Sequence, residues 1–453
     1  MTHLPRVALG TVQPDEDPRC VLWGLMDVLD QCGLLVQSFS SQSRLESREA
    51  DSVITGQGRR HLDSWLMPPD LCAQLFFEGS RCADMRLVDG QFDVATSNNS
   101  SAGGSLDALC RWLDLPQVAV VSVEHLDACC MPKMPAGLEG IILDRVSDIG
   151  QLCRLQTAFE AFYGVPVLGA MGQNHDLRAA VTDLRPDGTP SVELCRELGR
   201  SLVTHFRFDR FFELASRRAF SPFEGMRFEN RSSAGPLSIA VAHDQAFHHH
   251  FPNILDIFEL HGATVDFFSP LCDESLPPGT DVVYLGCGQL NNYFGELAAN
   301  VCMKESLRSH VARGKRVYAE SAGLAYICRA AATPGGEDWP MVGLLPTVAR
   351  YHAPGGSERA VQLRTSRGSW LFSPCQQVKG YLDPHWTIHP DGPDGNGAPR
   401  LFKAAWTHDL MGDYQVVGSR IHLDFAARPD LAERFFHPYR GHQFGKTVSG
   451  TFF

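Results

Sequence analysis

A serine stands at the junction of an apolar run and a group of small residues, in the stretch 317–323, which spells VYAESAG. A strand that turns tightly into a helix would hold the Ser321 side chain out at the top of a sheet, as in a nucleophile elbow. We predict the helix over 324–332, and its N-terminus would favour negative charge on the serine oxygen. A buried strand–helix turn in which Ser321 only caps the helix has the same pattern, so the stretch predicts the turn and leaves its chemistry open.

Two other stretches supply the remaining parts of an acyl-transfer site. The first is a predicted strand that ends in a glycine-containing turn, where Gly286, Cys287 and Gly288 would offer backbone N–H groups to an oxyanion. In the second, His422 and Asp424 share one face if their segment is extended, because side chains alternate along a strand. Together these parts make Ser321, His422 and Asp424 the candidate residues of a serine hydrolase or acyltransferase. Cys287 lies on a different loop from the elbow, so we do not favour it as the nucleophile.

Over residues 237–437, the order and spacing of these stretches resemble the glutamine-amidotransferase domain of the cobyrinic acid a,c-diamide synthase family, which amidates corrinoid side chains. The matching runs are 239–247 (IAVAHDQAF), 265–271 (VDFFSPL), 283–288 (VYLGCG), 317–320 (VYAE) and 421–426 (IHLDFA). The resemblance implies a class I amidotransferase fold and adds Glu320 to the catalytic elbow. The family has Glu-Cys-Gly-Gly there, whereas this chain has Glu320, Ser321, Ala322 and Gly323. The thiolate that takes the glutaminyl group in the family is therefore absent.

The N-terminal half alternates short apolar strands with helical patterns. We predict strands at 6–10, 34–39, 85–90, 117–123, 140–144 and 166–169, and a helix at 20–32 that ends before Gly33. Continuous apolar strands between helices predict an α/β fold with a mostly parallel sheet covered on both faces. This half resembles the family's P-loop ATPase domain of the dethiobiotin synthetase type, on runs such as 60–67 (RHLDSWLM) and 87–90 (LVDG).

These patterns predict two doubly wound domains. A P-loop-NTPase-like amidoligase domain would occupy residues 1–219 and a glutamine-amidotransferase-like domain residues 237–453. Between them, residues 220–236 contain prolines, charges and the run SSAGP, which is typical of a linker.

The first loop of the N-terminal domain bears on the nucleotide site that the resemblance implies. Family members carry a Gly-rich loop with Gly-Lys-Thr, whose N–H groups and lysine hold phosphate. Here residues 10–19 read GTVQPDEDPR, with no lysine, two prolines and three carboxylates. Gly10, Thr11 and Arg19 stand where the cofactor-binding residues would be, and Arg19 is outnumbered by carboxylates that repel phosphate. We therefore predict that this loop does not bind ATP in the family manner.

Other residues could hold a metal ion. Asp63 and Asp89 are the carboxylates that would hold Mg²⁺ if the ATP site kept its metal. The run HHH at 248–250 invites a metal interpretation, but consecutive helical side chains point in different directions, so we predict a structural role. The fourteen cysteines are scattered without a CxxC pair, which predicts reduced, mostly buried thiols in a cytoplasmic protein. A GHQF run at 441–444 echoes a Gly-His-Glu-Phe-His run that the family carries before its last strands, and its role stays open.

Composition narrows the range of possible binding partners. A formal charge of −12 argues against a nucleic-acid partner held through its phosphates. No apolar run is long enough to span a bilayer, and the first residues lack the pattern of a signal peptide. These features predict a cytoplasmic protein with a small-molecule ligand, and a homodimer is left open.

Three functions remain. We favour a family member that has lost both half-reactions and acts as a pseudoenzyme or binding protein for a corrinoid or other tetrapyrrole, without using ATP, Mg²⁺ or glutamine. The second is a hydrolase or acyltransferase that uses Ser321, His422 and Asp424. The third takes the resemblance at face value, as an ATP- and glutamine-dependent amidation of a corrinoid with an atypical ATP site. The first is favoured because the phosphate loop and the nucleophile are altered independently.

Overall fold

The computed structural model describes residues 4–13, 16–45, 50–93, 103–124, 126, 131–184, 189–219, 237–352, 358–390 and 409–440. Its contacts divide the chain into two compact units, one formed by Met1–Glu229 with Phe251–Asn253 and the other by Asn230–His250 with Ile254–Phe453. The predicted linker at 220–236 and the run at 441–444 lie outside the described residues. Among the described helices, none is long and apolar enough to cross a membrane.

The first unit contains one seven-stranded sheet. Its strands are β1 (Arg6–Thr11), β2 (Val36–Ser40), β3 (Arg60–His61), β4 (Met85–Gln91), β5 (Gln117–Ser122), β6 (Leu138–Val146) and β7 (Val167–Gly172). Its helices are α1 (Arg19–Gln31), α2 (Asp51–Thr55), α3 (Pro69–Glu78), α4 (Leu106–Leu113), α5 (Ile149–Tyr163), α6 (His175–Thr182), α7 (Val192–Val203) and α8 (Phe208–Ser216). The strands run parallel in the order β3-β2-β4-β1-β5-β6-β7. Every residue of β1 and β2 is buried, as expected for strands covered on both faces.

The second unit has a six-stranded main sheet and two smaller sheets. Its strands are β8 (Ser238–Ala242), β9 (Thr264–Phe268), β10 (Val282–Leu285), β11 (Arg316–Glu320), β12 (Cys328–Ala332), β13 (Trp339–Pro340), β14 (Leu345–Tyr351), β15 (Arg359–Arg364), β16 (Gln377–Leu382), β17 (Trp386–Pro390), β18 (Leu410–Gly412), β19 (Val416–Ser419) and β20 (Ile421–His422). Its helices are α9 (Pro252–Leu260), α10 (Phe294–Ala299), α11 (Val301–Ala312), α12 (Ala322–Ile327) and α13 (Pro429–Phe436).

The main sheet of this unit has the order β18-β19-β11-β10-β8-β9, and all its pairs are parallel except that of the edge strand β18. The smaller sheets have the orders β13-β12-β14-β17 and β15-β16-β20. The prediction of an α/β fold with mostly parallel sheets is thus confirmed in both units. The small sheets matter for function because β16 and β20 end beside the turn that follows β11.

The helix predicted over 324–332 is shorter than expected. Helix α12 ends at Ile327, and Cys328–Ala332 forms strand β12 instead. The alanines of this segment favour a helix in isolation, but β12 pairs in parallel with β14 and antiparallel with β13. Sheet pairing therefore overrides local propensity here.

The cysteines also differ from the prediction. The structure describes twelve of them and shows no disulfide among these twelve. Six of them are buried and six are exposed, so the expectation of mostly buried thiols holds for only half of this set.

Candidate functional site

The turn from β11 into α12 has the backbone of a nucleophile elbow. Ser321 has φ 50° and ψ −110°, a conformation that costs about 1–3 kcal/mol for a residue with a side chain. The backbone packs closely behind it, since a Cβ on Gly323 would lie 2.2 Å from the Leu285 carbonyl oxygen. Ser321 is only 3% exposed. The elbow predicted from the sequence is therefore present, with a buried serine at its apex.

The serine hydroxyl is bound by a carboxylate that the sequence did not point to. Ser321 Oγ donates a short hydrogen bond to Asp383 Oδ2, just past the end of β16. The other carboxylate oxygen accepts from the backbone N–H and from ring atom Nδ1 of His385, each at 2.8 Å. Hydrogen bonds from His385, the charge of His422 and the serine hydroxyl overcome the effect of burial and lower the Asp383 pKa to about 2. Ser321 therefore donates to a carboxylate that is ionised at neutral pH.

His422 lies between two carboxylates at the end of β20. Its Nδ1 is 3.3 Å from Glu358 Oε1, and its Nε2 is 3.9 Å from Asp383 Oδ2. The ring is 4% exposed. Burial alone would lower the pKa of His422, but hydrogen bonding to Cys287 and the Glu358 carboxylate raise it well above the ordinary histidine value. The Glu358 carboxylate thus favours the charged form of His422, whereas a general base must be neutral to accept a proton.

Glu320 and Asp424 have structural contacts. The Glu320 carboxylate is fully buried and accepts hydrogen bonds from Tyr284 Oη at 2.9 Å, Tyr318 Oη at 2.8 Å and the Leu423 N–H at 3.3 Å. Strand β20 ends at His422, so the alternation that would place Asp424 on the same face does not continue. Instead, Asp424 accepts from the Ala426 N–H at 3.0 Å and caps the short 3-10 turn Phe425–Ala427.

One N–H group of the predicted oxyanion turn is already engaged. The Cys287 N–H donates to the His249 carbonyl at 3.0 Å, and the His249 N–H donates to the Cys287 carbonyl at 3.1 Å. The chain before α9 also lies close against the turn, since a Cβ on Gly288 would approach the Ala246 carbonyl oxygen to 2.0 Å and one on Gly286 the His249 oxygen to 2.8 Å. Burial raises the pKa of the Cys287 thiol to about 12, which leaves it unreactive as a nucleophile.

The three consecutive histidines lie in an irregular segment, and no set of three or more His, Cys, Asp or Glu residues able to hold a metal occurs in the described parts of the chain. Burial lowers the pKa of His249 to about 3 and that of His250 to about 4. Both rings are therefore neutral, and the backbone of His249 serves to bind the turn at Cys287.

Three residues at this centre, Glu358, Asp383 and His385, were missed in the sequence. Asp383 is 62 positions from Ser321 along the chain and reaches it only because β16 pairs with β20. The polar end of the run GYLDPH at 380–385 was a signal in the sequence that could have pointed to Asp383 and His385. In the assembled centre the serine hydroxyl donates to Asp383, and two carboxylates near His422 favour the charged form of its ring.

The ionised state of Asp383 predicts how stability responds to acid. Its pKa is lowered from 3.8 to about 2 by folding, so its contribution is complete above the unfolded pKa and is lost as the pH falls through about 2. That shift corresponds to about 2 kcal/mol. We expect the free energy of unfolding of the wild type to fall by this amount more than that of Asp383→Asn between pH 5 and pH 2. Near-UV circular dichroism during denaturation at each pH measures this difference. Equal losses of unfolding free energy in the wild type and in Asp383→Asn would contradict the prediction.

The first loop of the N-terminal unit is held by side chains of its own protein. The Gln13 amide exchanges two hydrogen bonds of 2.8 Å with the backbone of Ser122 at the end of β5. A Cβ on Gly10 would lie 2.3 Å from the Phe92 ring, so close packing already explains that glycine. Thr11 is a buried part of β1. Packing within the protein therefore explains the positions of Gly10 and Thr11 without a bound phosphate.

Arg19 is committed to a neighbouring carboxylate. Its Nε is 2.9 Å from both oxygens of Asp17, and Nη2 is 2.6 Å from Oδ2. Asp17 also accepts from the Arg19 backbone N–H at 3.0 Å, at the start of α1. Burial would raise the pKa of Asp17, but these bonds to Arg19 lower it. The Asp17 carboxylate therefore occupies the helix N-terminus, where a phosphate group would otherwise be favoured.

A cavity of about 410 Å³ opens beside this loop. It is lined by Glu16, Asp17, Pro18, Arg19, Leu22, Arg59 and Asp89. The lining includes three carboxylates and two guanidinium groups, and Arg59 forms a close ion pair with Asp89. A triphosphate in this cavity would have to separate these pairs and face the carboxylates.

The two predicted magnesium ligands also have protein partners. Asp63 accepts hydrogen bonds from the backbone N–H groups of Ser43 at 3.0 Å, Trp65 at 2.8 Å and Leu66 at 3.2 Å. Asp89 is paired with Arg59. Mg²⁺ takes carboxylate oxygens that are free to coordinate it, so the residues present fit this ion poorly.

Comparison with known proteins agrees with the resemblance found in the sequence. Residues 238–381 match the family model of the CobB/CobQ-like glutamine amidotransferase domain. A protein of Dehalococcoides mccartyi strain CBDB1 named cobyrinate a,c-diamide synthase is 25% identical, and the match covers 96% of this chain and 98% of that protein. Proteins of the same name from Salmonella typhimurium and Thermoplasma acidophilum are 25% and 26% identical, covering 92% and 84% of this chain and 94% and 87% of their own lengths.

Proposed function

We propose that this chain, which belongs with the cobyrinate a,c-diamide synthases by similarity over nearly its full length, binds a corrinoid or related tetrapyrrole carboxylate without amidating it. The relatives are named for a reaction on cobyrinate, and that substrate class is the part of the family function we assign here. The observation that carries the proposal is the elbow, where Ser321 replaces the family cysteine and donates its proton to Asp383. Position 321 therefore has no sulfur atom on which a glutaminyl thioester could form.

The N-terminal unit supports the same proposal from its own contacts. Arg19 is bound to Asp17 and Arg59 to Asp89, so the cations beside the cavity are already neutralised. Without a phosphate-binding loop the carboxylate of a substrate cannot be activated as an acyl phosphate. Loss of both half-reactions in separate units is what a binding protein derived from an amidoligase would show.

The other two functions fit the contacts less well. A serine hydrolase needs Ser321 to give its proton to a neutral histidine, whereas here the hydroxyl donates to Asp383 and the pKa of His422 is raised, which favours its charged form. An active amidoligase needs a thiolate and free cations for ATP, and the sequence has no cysteine at position 321. These contacts therefore favour binding of the tetrapyrrole without its conversion.

The test is a calorimetric titration of the full chain with cobyrinic acid. We expect saturable binding, and we expect no thermal shift with ATP and Mg²⁺ and no release of ADP or glutamate when ATP, Mg²⁺ and glutamine are added together. A fully amidated corrinoid is the matched control ligand, because it lacks the carboxylates of the substrate and should bind more weakly. ADP release that depends on cobyrinic acid would contradict the proposal, as would absence of corrinoid binding.

A further inference from the structure

We propose that Asp383 is the residue that silences the elbow, because its carboxylate accepts the hydrogen bond of the residue at the nucleophile position and lies beside the histidine that would be the base. The inference rests on the proposed function in assuming that the elbow no longer turns over glutamine. It goes further by assigning the loss to a second residue in addition to the missing thiol. A cysteine restored at position 321 would then stay unreactive as long as Asp383 is present.

The first argument is geometric. A single oxygen, Asp383 Oδ2, accepts the hydrogen bond of Ser321 Oγ and is also the carboxylate oxygen nearest to His422 Nε2, at 3.9 Å. The far side of the same ring faces Glu358 at 3.3 Å. The contacts therefore run from serine to aspartate to histidine to glutamate, whereas a catalytic triad runs from nucleophile to histidine to carboxylate. Asp383 is the additional member of the series.

Asp383 is also held firmly in this place. Its backbone N–H donates to the Arg420 carbonyl at 3.0 Å, and its second oxygen is fixed by the two 2.8 Å contacts to His385. The residue is 4% exposed. A water molecule could replace the Asp383 carboxylate beside Ser321 only if that carboxylate left a position that these contacts stabilise.

The second argument concerns charge. Two carboxylates flank one buried ring, so His422 is stabilised as an imidazolium, and the charge of His422 in turn lowers the Asp383 pKa. The groups that face Asp383 are Ser321, His385 and His422, with Tyr351 stacked on His385. The groups that interact electrostatically with His422 are Cys287, Glu358, Glu320, His249, Asp383 and His385.

A thiol at position 321 would feel the same carboxylate. Because like charges disfavour each other, an ionised Asp383 raises the pKa of a cysteine placed against it. Alkylation reports the thiolate directly: its sulfur attacks the methylene carbon of iodoacetamide, a C–S bond forms, the C–I bond breaks and iodide leaves. The thiol proton has gone to solvent beforehand, so the rate measures the thiolate fraction.

The experiment compares iodoacetamide alkylation of Ser321→Cys with that of Ser321→Cys/Asp383→Asn in the full chain. Peptide mass spectrometry follows position 321 between pH 5 and pH 10. We expect the double variant to react at least tenfold faster at pH 7, with the midpoint of its pH profile lower by at least one unit. Rates within twofold of each other at pH 7, or unshifted midpoints, would overturn the proposal.

Two controls separate charge from folding. Ser321→Cys/Glu358→Gln removes the other carboxylate of His422 but leaves Asp383 at the elbow, so its rate should not exceed that of Ser321→Cys. Cys287, which is 4% exposed, reports the fold, because its alkylation marks a variant that has opened. Should Asp383→Asn open in this way, Asp383→Ser takes its place in the comparison. The corrinoid titration is independent of these rates, so failure of one proposal is distinguishable from failure of the other.

Discussion

Replacing Glu320 by alanine should destabilise the second unit by about 4 kcal/mol, although Glu320 lies next to the elbow and was predicted to be catalytic. The carboxylate accepts hydrogen bonds from Tyr284, Tyr318 and the N–H of Leu423, which are at most 3% exposed. Each buried donor left without an acceptor costs about 1–3 kcal/mol. Removing the buried carboxyl group also removes its own desolvation cost, which offsets part of the sum.

The readout for this variant should be local, because two compact units need not unfold together. Hydrogen exchange of peptides that cover β10 and β11 measures the opening free energy of the sheet beside the elbow. Glu320→Gln is the matched control, since it keeps the shape and a carbonyl acceptor, and it should cost about 1 kcal/mol. Equal protection in the alanine and glutamine variants would show that the tyrosine hydroxyls find other partners, and the structural role of Glu320 would be refuted.

The sequence predicted the positions of the main elements because their patterns are local. Strand β1 was predicted at 6–10 and runs from Arg6 to Thr11, and α1 was predicted at 20–32 and runs from Arg19 to Gln31. Apolar runs and helical periodicity record which faces are buried. The failure at β12 is different, because its pairing with β14 depends on residues well beyond the window that a local pattern can register.

The candidate site was predictable only in part for the same reason. The elbow was found because its small residues and its strand are contiguous in the chain. The partners of Ser321 and His422 were not, because Asp383 and Glu358 lie more than thirty positions from both and are gathered by the sheet β15-β16-β20. Alternation along a strand suggested Asp424 for His422, but that rule ends where the strand ends.

The start of α1 and the elbow share one physical feature. At the start of α1 the Asp17 carboxylate stands against the helix N-terminus and Arg19, and at the elbow the Asp383 carboxylate stands against Ser321 and His422. In each case a carboxylate of the protein itself contacts the groups that would otherwise bind a substrate's phosphate or assist a nucleophile. A centre that satisfies its own charges gains stability but no longer offers them to a ligand.

Breaking the buried ion pair between Asp144 and Arg178 should have the largest effect in the first unit, about 3–5 kcal/mol in Arg178→Met. The pair joins the end of β6 to α6, and Arg178 also donates to the carbonyls of Gln173 at 2.7 Å and Gly172 at 3.2 Å. The Asp144 side chain is 3% exposed, so without Arg178 its charge would be left in the core. Hydrogen exchange of peptides from β6 and β7 is the measurement.

The pH dependence of that loss identifies its cause. Burial raises the pKa of Asp144 while Arg178 lowers it, and the net direction is upward. Removing Arg178 raises that pKa further, so the folded variant is stabilised by protonation and its deficit should be smaller at pH 5 than at pH 8.

Arg200→Met is the matched control, because its ion pair with Glu193 is exposed and should contribute less than about 1 kcal/mol to stability. Asp144→Leu/Arg178→Met should recover much of the loss, since no charge is then buried alone. A double variant as unstable as Arg178→Met would mean that the carbonyl contacts of Arg178, rather than the buried charge, hold this edge of the sheet.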